Sequence, residues 1–170
     1  MPKRIEGLEE KLVAETGRQL EAGGYGALTV RGVANACGVG VGTVYNYYPS
    51  KDALVAAYML REWRPCLARI QAAAEENTDP RPVVRCIYDS LQTFAADHSA
   101  VLEDPAAMEP FAQVSRRYHG LLRQQLTKPL EAFCPDRFTA RFVAESLLTW
   151  GMAGIPFAEL YPVVEKLFVK

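Results

Sequence analysis

Apolar residues along this chain recur at intervals of three and four, and almost nowhere at intervals of two. Ile5, Leu8 and Leu12 share one face, with Val13 and Leu20 beside it. This predicts a first helix over about 2–21, stopped by Gly23-Gly24. Thr29 opens a second helix as its N-cap, although Gly32 stands where a full capping box has Glu or Gln. Val30, Val33, Ala34 and Cys37 form the inner face of that helix, and Gly38 ends it. A third helix covers 41–47, with Val44 and Tyr48 turned inward. A fourth follows Pro49, capped by Ser50, with Asp52 in the first turn where the helix dipole favours an acid. Pro65 is expected to kink or break it.

The same period continues to the end of the chain. Pro80 and Pro82 open a helix carrying Val83, Ile87, Leu91 and Phe94. Residues 98–110, with Pro105 and Pro110, read as a broken stretch. A long helix is expected over about 111–133 and another over 136–150, ended by 151–156. The last stripe is Phe157, Leu160, Tyr161, Val164, Leu167 and Phe168. Pro162 interrupts it and is expected to start the final helix. No two alternating runs are joined by a hairpin turn, so the fold class is all-α. Gly17 costs its helix about 1 kcal/mol relative to Ala, and close helix packing is the reading left open for it.

Composition changes this picture little. The chain has 170 residues, 49% hydrophobic and 23% charged, which suits a globular protein with a real core. No apolar run approaches a membrane span, and the N-terminus lacks an apolar signal region, so the expected compartment is the cytoplasm. Cys37, Cys66, Cys86 and Cys134 lack metal-ligand spacing and are expected to pack as reduced thiols. His98 and His119 have no ligand-like partner in sequence. No catalytic motif, metal site or cofactor site is legible, and the chain does not read as an enzyme. Gly38-Val39-Gly40-Val41-Gly42 is not a nucleotide loop. Thr43 breaks the glycine pattern, and the run follows a helix rather than a strand.

Charge matters through its distribution. The net charge is −1, yet between Ala22 and Lys51 there is no Asp or Glu, while Arg31 and Lys51 are present. A locally acid-free surface can meet phosphates on a chain that is neutral overall. That stretch also holds two short helices joined by Gly38-Val39-Gly40, the helix-turn-helix arrangement, whose second helix enters the major groove. Thr43, Tyr45, Asn46 and Tyr47 on that helix suit the task. Asn pairs with adenine, and Tyr hydroxyls reach phosphate.

At this point a family likeness is visible. Gly24-Tyr25, Leu28-Thr29-Val30-Arg31, Val33-Ala34 and Cys37-Gly38-Val39 stand in order, followed by Gly42-Thr43-Val44-Tyr45-Asn46-Tyr47-Tyr48 and Ser50-Lys51-Asp52-Ala53-Leu54. Over residues 12–54 the chain resembles the DNA-binding domain of the TetR family of transcriptional regulators. The resemblance implies a helix-turn-helix domain over 1–54 and a helical effector-binding and dimerisation domain over 55–170. It implies DNA contacts from Thr29, Arg31, Val41, Gly42, Thr43, Tyr45, Asn46, Tyr47 and Lys51. It further implies a repressor that holds a palindromic operator as a homodimer and is released by a small-molecule effector. Gly40 and Val41 depart from the family's usual capping and polar residues. A valine there can meet a thymine methyl instead.

Trp63, Tyr88, Phe94, Phe111, Tyr118 and Trp150 are candidates to line an effector pocket. Taken singly each reads better as ordinary core, and the resemblance raises the pocket reading for the group. Arg116-Arg117 can serve an anionic effector or a solvated helix face. DNA geometry supplies the dimer. Two reading helices about 34 Å apart, or a multiple of that, need a two-fold axis. The interface candidates are Phe138, Phe142, Leu147, Leu160, Val164, Leu167 and Phe168, with Ala140 and Gly151 offering flatter contact nearby. Two rival classes stay open: a helical ligand-binding or enzymatic protein with a scaffold helix-turn-helix, and a regulator switched by a protein partner.

Overall fold

The computed structural model describes residues 5–102 and 104–168. Within that span, the side chains of residue 100 and of residues 105–117 lie outside the described residues. The order is α1 (Leu8–Ala27), α2 (Val30–Ala36), α3 (Val41–Tyr47), α4 (Lys51–Glu76), α5 (Pro80–Asp97), α6 (Ser99–Leu102), α7 (Pro105–Leu130), α8 (Arg137–Ser146) and α9 (Phe157–Val164). A π-type turn over Leu147–Gly151 prolongs α8, and a 3-10 turn over Glu165–Leu167 prolongs α9. No strand occurs among the described residues, and the protein is all-α with an N-terminal helix-turn-helix.

The short helices lie where their local signals put them. The Thr29 hydroxyl accepts from the Gly32 amide at 3.0 Å, and the Ser50 hydroxyl from the Ala53 amide at 3.1 Å. Asp136 caps α8 through the Thr139 amide at 2.8 Å. The longer helices depart from expectation at their prolines and glycines. α1 begins at Leu8, after Gly7 at φ 69°, and residues 1–4 of its expected start lie outside the described residues. It also resumes past Gly24, whose own φ of 70° and ψ of −177° are not helical. α4 runs through Pro65 and α9 through Pro162, where a break and a start were expected. Both prolines are exposed. The carbonyl that each leaves without an amide partner therefore faces solvent, while Trp63, Cys66 and Ile70, or Leu160 and Val164, hold the turns on the inner side. α7 begins at Pro105, six residues before its expected start, because proline at the first helical position forfeits no hydrogen bond.

The described chain forms two compact units. The first comprises 1–62 and 98–116. Its core is Leu8, Leu12, Leu20, Leu28, Val33, Val44, Leu54 and Tyr58, all buried. The second comprises 63–97 and 117–170. Its core joins Trp63 and Ile70 of α4, Ile87 and Leu91 of α5, Leu126 and Leu130 of α7, Val143 and Leu147 at α8, and Leu160 and Val164 of α9.

Candidate nucleic-acid interface

The junction between α2 and α3 is built by hydrogen bonds that a glycine allows. Gly38 sits at φ 70°. The Val39 amide donates to the Ala34 carbonyl at 3.0 Å, and the Gly38 amide to the Asn35 carbonyl at 3.1 Å. This reciprocal pair closes the end of α2 and turns the chain sharply. Gly40 then caps α3 with its carbonyl, accepting from the Thr43 amide at 2.9 Å. Val33, Ala34 and Val44 are fully buried beneath the turn. Anchoring α3 on Val44 leaves its outer stripe to Gly42, Tyr45 and Asn46, at helical spacings of three and four, all exposed. Tyr45 is 49% exposed. A Cβ at Gly42 would meet nothing within 4 Å, so a second molecule can approach the helix backbone closely there.

The other predicted contacts fall into two groups. Arg31 of α2 is exposed, and Val41 and Thr43 are half-buried at the start of α3. Thr29, Tyr47 and Lys51 are instead engaged within the first unit. The Thr29 hydroxyl is the α2 cap. The Tyr47 hydroxyl accepts from the Ile5 amide at 2.6 Å and donates to the Ile5 carbonyl at 3.3 Å, tying the segment before α1 to α3. Lys51 places its Nζ 3.9 Å above the Tyr25 ring, and the Tyr25 hydroxyl donates to Asp52. Burial and the neighbouring Asp52 push the Tyr25 phenol well above its ordinary range. Burial lowers the Lys51 ammonium, against the pull of Asp52 and Asp104. Neither tether was legible, since each joins residues 26 or more apart.

In the second unit, Trp63 is buried and meets Phe94 edge-on at 5.3 Å and 81°. The Tyr88 hydroxyl donates to the Ile155 carbonyl at 2.9 Å, and its ring packs on Phe157. Tyr118 is half-buried and Trp150 is 54% exposed. The structure thus joins Trp63 with Phe94 and sets Tyr88 with Phe157 instead. Trp150 lies on the surface. The side chains of Phe111, Arg116 and Arg117 lie outside the described residues.

Of the residues expected at a dimer contact, Phe138 and Phe142 are 75% and 53% exposed. Leu147 lies with Ala140, Val143 and Ala144 on the opposite face of α8 and is fully buried in its own unit. Gly151 is buried against Tyr88, and Leu160, Val164 and Phe168 are buried as well. Leu167 is half-buried. The apolar surface left on α8 and its π-type turn is therefore Phe138, Phe142 and Trp150.

The sequence also gave no sign of a polar cluster beside that face. Glu145 accepts from His119 Nε2 at 2.7 Å, from Arg123 at 3.0 Å and from Thr149 at 3.2 Å. Burial raises the Glu145 carboxyl, but these donors outweigh it and hold it below the ordinary glutamate value. The cysteines are free thiols. Burial pushes Cys134 up to about 11 and raises Cys66, as for packed rather than nucleophilic thiols. Among the described residues no cluster of His, Cys, Asp or Glu is arranged to hold a metal, and no helix is long and apolar enough to cross a membrane.

Fold and site together define an all-α protein with an N-terminal helix-turn-helix. Residues 12–58 match the bacterial regulatory proteins of the tetR family. The chain is 31% identical over 112 residues to the HTH-type transcriptional repressor KstR of Rhodococcus jostii, an alignment covering 62% of this chain and 53% of that protein. The fold recurs in the TetR family repressor AlkX of Dietzia sp., implicated in biodegradation of n-alkanes, at TM-score 0.62 and 14% identity, covering 94% and 98% of the two chains. It recurs in a TetR transcription regulator of Haloarcula marismortui at TM-score 0.54 and 21% identity, covering 96% and 95%. The chain thus carries the tetR-family segment over residues 12–58. It spans about half the length of the curated relative KstR.

Proposed function

We propose that this protein is a transcriptional repressor that reads operator DNA with α3 and acts as a homodimer. The observation that carries this reading is the outer stripe of α3. Gly42, Tyr45 and Asn46 are exposed on a helix fixed from beneath by Val44, in a stretch without acidic side chains. Asn46 offers an amide for a base edge, Tyr45 a hydroxyl and ring, and Arg31 a charge for phosphate. Repression is the sign of control carried by the names of KstR and AlkX.

The division of labour places DNA binding in residues 1–54 and effector binding with dimerisation in 55–170. Phe142 and Trp150 are the surface for the second copy, since exposed aromatic residues on one helical face are what a symmetric contact covers. Trp63 and Phe94 mark the effector region. Trp63 Nε1 is buried there without a hydrogen-bond partner among the described residues, which a polar group on a ligand would relieve. The effector acts by binding better to the conformation that cannot span both half-sites. The work is that of a cytoplasmic regulator and needs no cofactor.

The test is selection from random duplex DNA with the purified chain. Enrichment of a near-palindromic sequence supports the reading. A pool that stays random after repeated rounds refutes it.

A further inference from the structure

A groove of about 480 Å³ opens on the second unit between α7 and α8. Arg123, Arg137 and Arg141 line it, and no carboxylate does among the described residues. Gly120 forms part of its wall, where among the described residues a Cβ would meet only Arg123 Nη2, at 4.0 Å. A glycine inside a helix costs about 1 kcal/mol relative to alanine. Gly17 has a reason to be glycine in a neighbouring ring, but Gly120 has neither a positive φ nor a close neighbour. What its missing side chain provides is room in the groove. Phe138, 75% exposed, supplies an apolar wall.

Two of the three guanidiniums are held in place from outside this lining. Arg123 pairs with Glu145 at 3.0 Å and Arg137 with Glu131 at 3.2 Å. Arg141 is exposed and has no ion-pair partner among the described residues. Arg141 is thus the guanidinium of this lining whose charge no described carboxylate offsets, and an anion in the groove would offset it. Guanidinium forks match the oxygens of carboxylates and phosphates in pairs.

We infer that this groove binds a small oxyanion with an apolar arm, the anion held by Arg141 with Arg123 and Arg137, the arm lying over Gly120 against Phe138. The ligand class is a carboxylate or phosphate ester of a short hydrocarbon chain. This site is separate from the Trp63–Phe94 region and does not depend on the reading of α3.

Calorimetric titration of the full chain at low salt tests it with hexyl phosphate, hexanoate and hexanol. One or both anions are expected to bind, and hexanol to bind at least tenfold more weakly. Arg141→Ala should weaken anion binding about tenfold, as loss of a charge-assisted pair does. Arg141→Lys should restore only part of it. Gly120→Leu should abolish binding while helix content stays unchanged. If Gly120→Leu does not fold, the exposed Arg141 pair of variants still decides. No binding of either anion, equal binding of hexanol, or unchanged affinity in Arg141→Ala overturns the proposal. So does a loss of dimer in these variants with anion binding intact, which would make the groove a contact between copies.

Discussion

Gly17 of α1 and the ring of Tyr58 of α4 are packed so closely that no side chain fits between them. A Cβ at position 17 would overlap Tyr58 Cε2 and lie 2.9 Å from Cδ2. Gly17→Ala should therefore destabilise the protein, although alanine is the better helix former. Propensity favours the change by about 1 kcal/mol, and overpacking opposes it by about 1–3 kcal/mol. Urea unfolding should show a lower midpoint for Gly17→Ala, recovered in part by adding Tyr58→Leu. A more stable Gly17→Ala protein would mean that the ring moves away at no cost.

The α2 cap and the Tyr47 tether predict different consequences for stability and for DNA binding. Thr29→Ala should cost about 1 kcal/mol of stability, and Thr29→Ser should restore it. Tyr47→Phe releases Ile5 and should lower affinity for matched and mismatched duplexes alike. Fluorescence anisotropy on both duplexes separates this from a base-reading role, which would reduce their difference.

Acid should act on Glu145. Its folded carboxyl lies below the ordinary glutamate value because the His119 and Arg123 hydrogen bonds outweigh burial. A lowered folded value contributes stability above the unfolded value, lost as pH falls through the folded one. The wild type should thus lose more stability than Glu145→Gln between about pH 5 and about pH 3. The side chain is more than a third exposed, so the difference should be small. Thermal unfolding across that range checks it, and parallel curves for the two proteins would contradict it.

The two faces of α8 give opposite predictions. Phe142→Glu with Trp150→Glu changes only exposed positions and should leave a folded chain that sediments as a monomer. Leu147→Glu places a charge in the core and should unfold the second unit. A dimer that persists in the double variant would move the interface elsewhere.

The sequence disclosed the elements whose signals are local. The Thr29 and Ser50 caps and the Gly38 turn set α2, α3 and the start of α4 without help from distant residues. Pro65 and Pro162 misled the reading because each is exposed on a helix whose inner side stays packed, and Pro110 because α7 runs through it. The outer stripe of α3 was legible from helical spacing once Val44 was taken as the anchor. The engagement of Tyr47 by Ile5, of Lys51 by Tyr25 and of Gly17 by Tyr58 was not. Those pairings are set by how helices meet, and no spacing within one helix encodes them. The same holds for Leu147. Its side of α8 depends on what α8 packs against, and that put it in the core.

On the proposed reading, α3 recognises DNA sequence. The most direct measurement is the affinity of wild type and Asn46→Ala for the selected duplex and for a mismatched one, taken across a salt series. Wild-type affinity should fall linearly with salt on a logarithmic scale. Asn46→Ala should remove about 1–3 kcal/mol of discrimination at one base-pair position, with the salt slope unchanged. Equal discrimination by the two proteins, with helix content intact, would contradict that reading.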